Sequence, residues 1–302
     1  MKILIVADEP GWIFERHALE IKKRLPEFDI DIVFRRENIP EISKNYDLVY
    51  VMDPIPLRHG YSPPEKTIMG LRCEFLFEQH PMGASGLYLY GFPGRCVSIR
   101  DKCKAFHVVN RNQMQVFKDI VIDKPLFLAQ HGIDERIFNK QLYDSQINHN
   151  PMVVGTAGRN SALKGFHLIE EACKRLSIDF DAAQYGSNKW EKGDMPQYYQ
   201  KLDVYACMSE SEGLSNGILE GGAMGLPVIS TKVGAAKEII EDGVNGFLVE
   251  RNVDSLTDAL NKLQDESLRR NMGEQMYKEI MSNWTWEKRI EDFRFMFNEC
   301  LK

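Results

Sequence analysis

Short apolar runs alternate along the chain with longer stretches in which apolar residues recur at a helical period. Residues 3–7 form an unbroken apolar run, which is typical of a strand buried on both faces of a parallel sheet. The stretch Phe14–Leu25 follows, with apolar residues at positions 14, 18, 21 and 25, the spacing of one helix face. Further strands are predicted at 30–34, 48–52, 67–71, 108–109 and 126–129. Strands interleaved with helices predict βαβ units and a parallel sheet.

The pattern starts again after a polar stretch, Asn139–Asn150, that has no apolar period. Strands are predicted at 152–155, 178–183, 204–208 and 227–230, with helices at 167–176, 195–202, 217–224, 253–264 and 268–281. A last helix, Trp286–Leu301, lies beyond what a second domain needs and is expected to pack back across the first. We therefore predict one Rossmann-like domain at 1–145, joined by 286–302, and another at 146–285.

Composition and charge exclude several classes of protein. The chain has 302 residues, 43% hydrophobic and 27% charged, without the run of roughly 18 apolar residues that a membrane span requires. Its six cysteines have no CxxC or metal-ligand spacing, which argues against a disulfide scaffold and a zinc module. The net charge of −6 arises from the residues after 150, and a chain with no basic half is not expected to bind nucleic acid. A cytoplasmic globular protein is the class that remains.

The most informative junction between a strand and a helix is Ser209–Gly225. A predicted strand enters a polar loop there, and Ser215 or Asn216 can cap the helix that follows. Glycines recur through this helix. Each interior glycine costs about 0.5–1 kcal/mol relative to alanine, which is tolerated where a backbone or a ligand must approach closely. The amides and the partial positive charge of a helix N-terminus suit a phosphate, so the junction predicts a phosphate site.

Two carboxylates flank this helix start, Glu212 in the loop and Glu220 in the first turn or so of the helix. Ionised carboxylates only accept hydrogen bonds, which suits them to the vicinal hydroxyls of sugars. With an anion site between them, they fit a sugar–diphosphate–ribose better than a plain phosphate. The alternative is that Glu220 only complements the helix dipole and that Glu212 is solvated.

A resemblance to a known family is carried by the segment that begins at Glu212, EGLSNGILEGGAMGLPVISTKVGAAKEIIEDGVNGFLV. It resembles the donor-binding signature of the family 4 (group 1) retaining glycosyltransferases, and Glu212 and Glu220 match the E-x7-E pair of that signature. The resemblance implies the α/β fold called GT-B, in which two Rossmann-like domains face each other across a cleft. It also implies that Glu220 holds the ribose hydroxyls of the nucleotide and that Glu212 contacts the donor sugar. The backbone amides of Gly213, Leu214 and Ser215 would meet the diphosphate.

A second junction agrees with this resemblance. After the strand predicted at 152–155 comes the segment TAGRNSALKGF, in which Arg159, Lys164 and Gly165 match the family pattern G-R-x(n)-K-G. Cleavage of a sugar–phosphate bond leaves a nucleoside diphosphate whose growing negative charge must be neutralised, and two cations can do this without a metal. Ordinary surface charge is the alternative for an isolated arginine and lysine.

Two D-x-D triplets, Asp29–Asp31 and Asp179–Asp181, are the candidates for a metal site. A metal-dependent transferase needs such a pair near the C-terminal end of a strand, where the nucleotide lies. Both triplets come at or just before the starts of their predicted strands. We interpret them as surface or capping acids, and we predict neither a metal nor another cofactor, with the nucleotide sugar acting as a substrate.

The remaining candidate site residues lie in segments that match the family pattern less fully. The family has a glycine-rich turn after the first strand, for acceptor and phosphate contact, whereas the segment DEPGW offers only Gly11. His80 lies in a loop after a predicted strand, where relatives often place a histidine against the donor sugar, and a structural role is its alternative. The pocket for the nucleotide base is expected near Tyr185 and Gly186.

These features predict a metal-independent retaining glycosyltransferase that moves a sugar from a nucleotide-diphosphate sugar to an acceptor hydroxyl, in glycan, polysaccharide or glycoconjugate synthesis. The expected acceptor is a saccharide or a glycolipid, and a glycolipid implies peripheral contact with the inner face of a membrane. Two alternatives stay open. One is a non-catalytic nucleotide-sugar-binding module of the same fold, and the other is a nicotinamide-dependent dehydrogenase, whose complete glycine fingerprint is lacking around Gly11.

Overall fold

The chain divides into two units, Met1–His131 together with Arg289–Lys302, and Gly132–Lys288. They are seen in a computed structural model that describes residues 1–53, 59–72, 88–91, 95–98, 100–118, 123–143, 149–159, 161–184 and 192–302. The domain limits predicted from the sequence, near residues 145 and 286, stay predictions. Each unit contains a parallel sheet with helices in its connections, which confirms the predicted α/β class.

The first unit is built on a parallel sheet whose central strands are nearly inaccessible to solvent. The strands of this unit are β1 (Lys2–Ala7), β2 (Asp29–Phe34), β3 (Leu48–Val51), β4 (Thr67–Leu71), β5 (Tyr88–Gly91), β6 (Arg95–Ser98), β7 (Ala105–Val108) and β8 (Leu126–Leu128). Its helices before residue 131 include α1 (Ile13–Arg24), α2 (Ile39–Ile42) and α3 (Arg111–Lys118). The sheet has the order β2-β1-β3-β4-β7-β8, and β5 pairs with β6 in a separate antiparallel pair. Strand β1 lies between β2 and β3, and residues 3–7 are all buried, as their unbroken apolar run predicts.

The second unit has a parallel sheet in the order β10-β9-β11-β12-β13, where the strands are β9 (Val153–Gly158), β10 (Asp179–Gln184), β11 (Val204–Cys207), β12 (Val228–Thr231) and β13 (Gly246–Val249). Its helices are α4 (Phe166–Leu176), α5 (Met195–Gln200), α6 (Asn216–Ala223), α7 (Ala236–Ile239), α8 (Val253–Lys262) and α9 (Glu266–Asn283). Apolar side chains from α4, α8 and the sheet form one core cluster, with Ile169, Leu256 and Val204 fully buried in it. This core holds the strand ends from which the candidate loops emerge.

The last helix, α10, spans Trp286–Leu301, the bounds predicted from its apolar period. Residues 289–302 belong to the first unit, as predicted for a helix that returns to the first domain. Within that unit, the ring of Phe293 lies 5.6 Å from that of His107, and the ring of Phe297 lies 5.8 Å from that of Tyr50. Among the helices that the structure describes, none is long and apolar enough to cross a membrane.

Candidate functional site

The candidate residues of the second unit lie where two neighbouring strands end. Strands β9 and β11 pair in parallel, with Val154 beside Val204 and Gly155 beside Tyr205. The loops that follow them therefore start at the same edge of the sheet, the edge at which open α/β sheets bind ligands. The loop after β9 carries Arg159 and Lys164, and the loop after β11 carries Glu212.

Lys164 and Glu212 form an ion pair at this edge. The Lys164 Nζ atom donates a hydrogen bond to Glu212 Oε1 over 2.5 Å, although the two residues are 48 positions apart. Their side chains keep exposed fractions of 33% and 16%, so the pair lies at the protein surface rather than in the core. The sequence predicted both residues for one site, and the structure brings them together.

Ser209 is a member of this cluster that the sequence analysis did not assign. Its hydroxyl donates to the same oxygen of Glu212 over 2.7 Å. Its own backbone carbonyl accepts a hydrogen bond from Thr231 Oγ1 at the end of β12, over 2.6 Å. Glu212 is therefore oriented from two sides, by a lysine from one loop and by a serine that a third strand fixes in place. The only sequence signal for Ser209 is a polar residue just after a buried strand.

The thiol of Cys207, at the end of β11, lies beside this cluster but does not supply a nucleophile. Its Sγ atom is 3.6 Å from Ser209 Oγ. Burial raises the pKa of the Cys207 thiol, and the nearby Glu212 carboxylate raises it further. The raised pKa favours the protonated thiol, and because the thiolate is the reactive form, Cys207 is a poor nucleophile here.

Two glycines allow the loops to approach one another closely. Gly165 follows Lys164 with φ +69°, and a Cβ atom there would overlap the carbonyl oxygen of Met208. Gly234 has φ +49°, and a Cβ atom there would overlap the carbonyl oxygens of Glu212 and Gly213. Residues with a side chain rarely adopt such positive φ angles. The glycine of the K-G pattern therefore has a structural cause, since it lets the lysine loop lie against the end of β11.

Replacement of Gly165 by alanine is expected to destabilise the protein more than replacement of Gly243. Both glycines have positive φ, at +69° and +80°, but a Cβ at Gly243 meets nothing within 4 Å. The backbone conformation alone costs about 1–2 kcal/mol for a residue with a side chain, and Gly165→Ala adds the overlap with Met208. Urea unfolding of the two variants measures the difference. Equal losses in the free energy of unfolding would show that the contact with Met208 is unimportant.

Helix α6 begins as predicted near Ser215 but is not capped as predicted. Ser215 is the N-cap residue, with an extended backbone, and its side chain makes no capping hydrogen bond in the described junction. Glu220 is the fifth residue of α6 and is only 5% exposed. The Tyr199 hydroxyl donates to Glu220 Oε2 over 2.8 Å. Glu220 is therefore a buried, hydrogen-bonded carboxylate in the second turn, beyond the first turn in which a charge acts most strongly on the helix dipole.

The glycines of α6 serve close packing of side chains. A Cβ at Gly217 would overlap the Tyr205 hydroxyl, and a Cβ at Gly221 would lie 3.1 Å from Tyr205 Cβ. A Cβ at Gly222 would lie 2.9 Å from Met276 Cγ on α9. The sequence predicted a close approach here by a backbone or a ligand, and the group that approaches Gly217 and Gly221 is the side chain of Tyr205.

The other predicted site residues are distributed over both units or lie outside the described part of the chain. Arg159 is exposed and follows β9 directly, while Leu214 is buried in the loop before α6. The Gly213 carbonyl accepts a hydrogen bond from the amide of Ala235 over 2.9 Å. Gly11 lies in the first unit between β1 and α1, has φ +73°, and donates its amide to Glu15 Oε2 over 2.5 Å. The remaining predicted site residues, His80, Tyr185 and Gly186, lie outside the described residues.

The described residues also bear on the predicted absence of a metal. The first D-x-D triplet opens β2 at Asp29, and the second opens β10 at Asp179. Both triplets therefore stand at the amino ends of their strands, and within the second unit Asp179 lies at the end of the sheet opposite to the edge that carries Lys164 and Glu212. In the parts of the chain that the structure describes, no group of three or more His, Cys, Asp or Glu residues is arranged to hold a metal ion. Metal independence stays a prediction.

Comparison with known proteins finds a family model that matches the part of the chain carrying this site. Residues 152–266 match the family model described as "Glycosyl transferases group 1". The N-acetyl-alpha-D-glucosaminyl L-malate synthase of Bacillus anthracis is 32% identical over 139 residues, which make up 45% of this chain and 35% of that protein. For three curated relatives of this kind, the chain spans 30–50% of their length.

Solved structures give the fold of the whole chain. A glycosyltransferase from Rickettsia africae ESF-5 superposes with a TM-score of 0.72 at 16% identity, covering 100% of this chain and 98% of that one. Anabaena HepE in complex with UDP-glucose superposes with a TM-score of 0.71 at 15% identity, covering 99% and 100%. The predicted GT-B class, with its two Rossmann-like units, is thereby confirmed. Residues 152–266, which carry the paired Lys164 and Glu212, are thus similar in sequence to the group 1 glycosyl transferases.

Proposed function

We propose that this chain transfers a sugar from a nucleotide-diphosphate sugar to an acceptor hydroxyl, with retention of the anomeric configuration and without a metal. The observation that carries the proposal is the Lys164–Glu212 pair at the carboxyl edge of β9 and β11, next to the start of α6. A cation, a hydroxyl-accepting carboxylate and a helix N-terminus are the groups that a phosphate-linked sugar requires.

The cationic and the anionic residues of the site have different roles in the proposed reaction. In the reaction, the bond between the anomeric carbon and the diphosphate oxygen breaks, and a bond from the acceptor oxygen to that carbon forms on the same face. The acceptor proton passes to the departing phosphate oxygen, so the step needs no strong general base from the protein. Lys164 and Arg159 offset the charge that grows on the diphosphate. Glu212 accepts hydrogen bonds from the donor sugar and orients it, and Glu220 receives the ribose hydroxyls.

The similar proteins indicate which classes of donor and acceptor to test. HepE was solved with UDP-glucose, which makes UDP-sugars the first donors to test, with GDP- and ADP-sugars beside them. The name of the Bacillus anthracis relative places an L-malate in the product of that protein. For this chain we propose a hydroxyl of a saccharide or a glycolipid.

A panel of UDP-, GDP- and ADP-sugars tests the proposal on the whole chain. With one nucleotide class we expect thermal stabilisation, slow release of the sugar and no effect of EDTA. A ligand at 100 times its Kd stabilises the folded state by about 2.7 kcal/mol, which a melting curve detects. Binding without any sugar release on long incubation would instead identify a non-catalytic module. Inhibition by EDTA would contradict the metal-free mechanism, and binding of NADH in place of the sugar nucleotides would favour a dehydrogenase.

A further inference from the structure

Glu220 is fixed by a buried tyrosine that the proposed reaction does not use. Tyr199 is 0% exposed, and its hydroxyl donates to Glu220 Oε2 over 2.8 Å. A hydrogen bond to an ionised carboxylate is shorter and roughly twice as strong as one between neutral groups. Glu220 is itself only 5% exposed. The contact therefore restrains a carboxylate that already has little freedom to turn.

The phenol ring of Tyr199 is held by aromatic neighbours. It makes edge-to-face contacts with Phe138, Tyr198 and Tyr205, with ring centroids 6.2, 5.3 and 5.8 Å away. Burial raises the pKa of Tyr199 well above its ordinary value, and the Glu220 charge raises it further. The hydroxyl therefore stays protonated at neutral pH and keeps its role as a donor to the carboxylate.

The helix that carries Glu220 is fixed as well. Gly217 and Gly221 seat α6 directly against Tyr205, so the backbone at Glu220 has one position relative to Tyr199. A carboxylate offers about four acceptor sites, and the hydrogen bond from Tyr199 helps to fix their directions. Acceptor sites held in fixed directions favour the recognition of two vicinal hydroxyls over one.

We propose that Tyr199 is a positioning residue that orients Glu220 toward the vicinal ribose hydroxyls of the nucleotide, so that the site distinguishes ribonucleotides from 2′-deoxyribonucleotides. The inference rests on the proposed function, in which Glu220 receives the ribose. Tyr199 acts through Glu220 and does not touch the reacting atoms. Its removal therefore affects the affinity for the ribose and leaves the chemical step unchanged.

The test compares Tyr199→Phe with Tyr198→Phe by titrating the whole chain with UDP and with 2′-deoxy-UDP. Tyr198 is the matched control because it is also buried and also loses one hydroxyl, which donates to the backbone carbonyls of Thr156 and Asp181 over 2.7 and 3.0 Å. We expect wild type and Tyr198→Phe to prefer UDP by about tenfold, the effect of one hydrogen bond to a charged group. Tyr199→Phe should lose most of this preference and raise KM for the donor while kcat stays the same.

A wild-type preference that persists in Tyr199→Phe would overturn the inference while leaving the proposed function intact. If wild type binds no UDP, GDP or ADP at all, both the inference and the proposed function fail. Should Tyr199→Phe not fold, Glu220→Gln serves in its place, since it keeps the size of the side chain and an oxygen that can accept from Tyr199. A variant Glu220→Gln with the full wild-type preference for UDP would show that this carboxylate does not recognise the ribose.

Discussion

Replacement of Lys164 by alanine is expected to lower the rate of sugar transfer by about 100-fold or more, the usual loss when one charge-stabilising group is removed. In the proposed reaction the leaving diphosphate gains negative charge as its bond to the sugar breaks, and Lys164 is the cation beside Glu212, the carboxylate proposed to orient the sugar. The fold should survive, since the Lys164 side chain is 33% exposed. Measurements of kcat with the best donor, and of Kd for UDP alone, check both parts, and UDP should bind more weakly.

Lys174 provides the matched control for this prediction. It lies on α4 within the same unit, its side chain is 67% exposed, and it pairs with Glu170 one turn away. Lys174→Ala removes the same charge and the same aliphatic stem at a distance from the strand ends, so its activity should equal that of wild type. Full activity in Lys164→Ala, with normal affinity for UDP, would refute the assignment of the site to this lysine.

The backbone scaffold was predictable because its signals are local. The apolar run of residues 3–7 corresponds to β1, and the apolar period of residues 286–301 gave α10 its observed bounds. In both cases the apolar residues that become buried lie within one continuous stretch of sequence, so their spacing predicts the element. Strand β13, Gly246–Val249, was absent from the predicted strands because its apolar part is only three residues long and follows a glycine. So short a run has no period that distinguishes a strand from a loop.

The candidate site was predictable only where residue type and position along the chain were sufficient. Lys164 and Glu212 were assigned to one site because each follows a strand and both match motifs of one family. Ser209 and Tyr199 were missed because their roles depend on contacts between separate elements. A tyrosine in a helix predicts a core residue, and nothing in the local pattern indicates that its hydroxyl meets a carboxylate on another helix.

Residue type also gave one wrong detail. Serine is a favoured N-cap, and Ser215 does occupy that position, yet its hydroxyl makes no capping hydrogen bond in the described junction. The serine therefore marks where α6 begins without supplying the cap hydrogen bond that its residue type predicts.

Replacement of Glu212 by alanine should separate sugar recognition from nucleotide recognition. Glu212 is expected to orient the donor sugar, so its loss should lower transfer by about 100-fold, as a misplaced substrate does. Affinity for UDP alone should stay the same or rise, because a negative charge next to the diphosphate is removed and Lys164 is released from its partner. For Lys164→Ala, by contrast, UDP should bind more weakly. Titration with UDP and with the intact donor, beside kcat, measures both effects.

Glu210 supplies the control, since it lies two residues away, its side chain is 47% exposed, and it lies 4.0 Å from Arg251. Glu210→Ala makes the same change in net charge, so it separates a general electrostatic effect from a contact with the sugar. Its transfer rate should match that of wild type. If Glu212→Ala weakens UDP and the intact donor by equal factors, Glu212 serves only to hold Lys164. In that case the sugar must be oriented by other groups, and the role proposed for Glu212 in binding the sugar would be wrong.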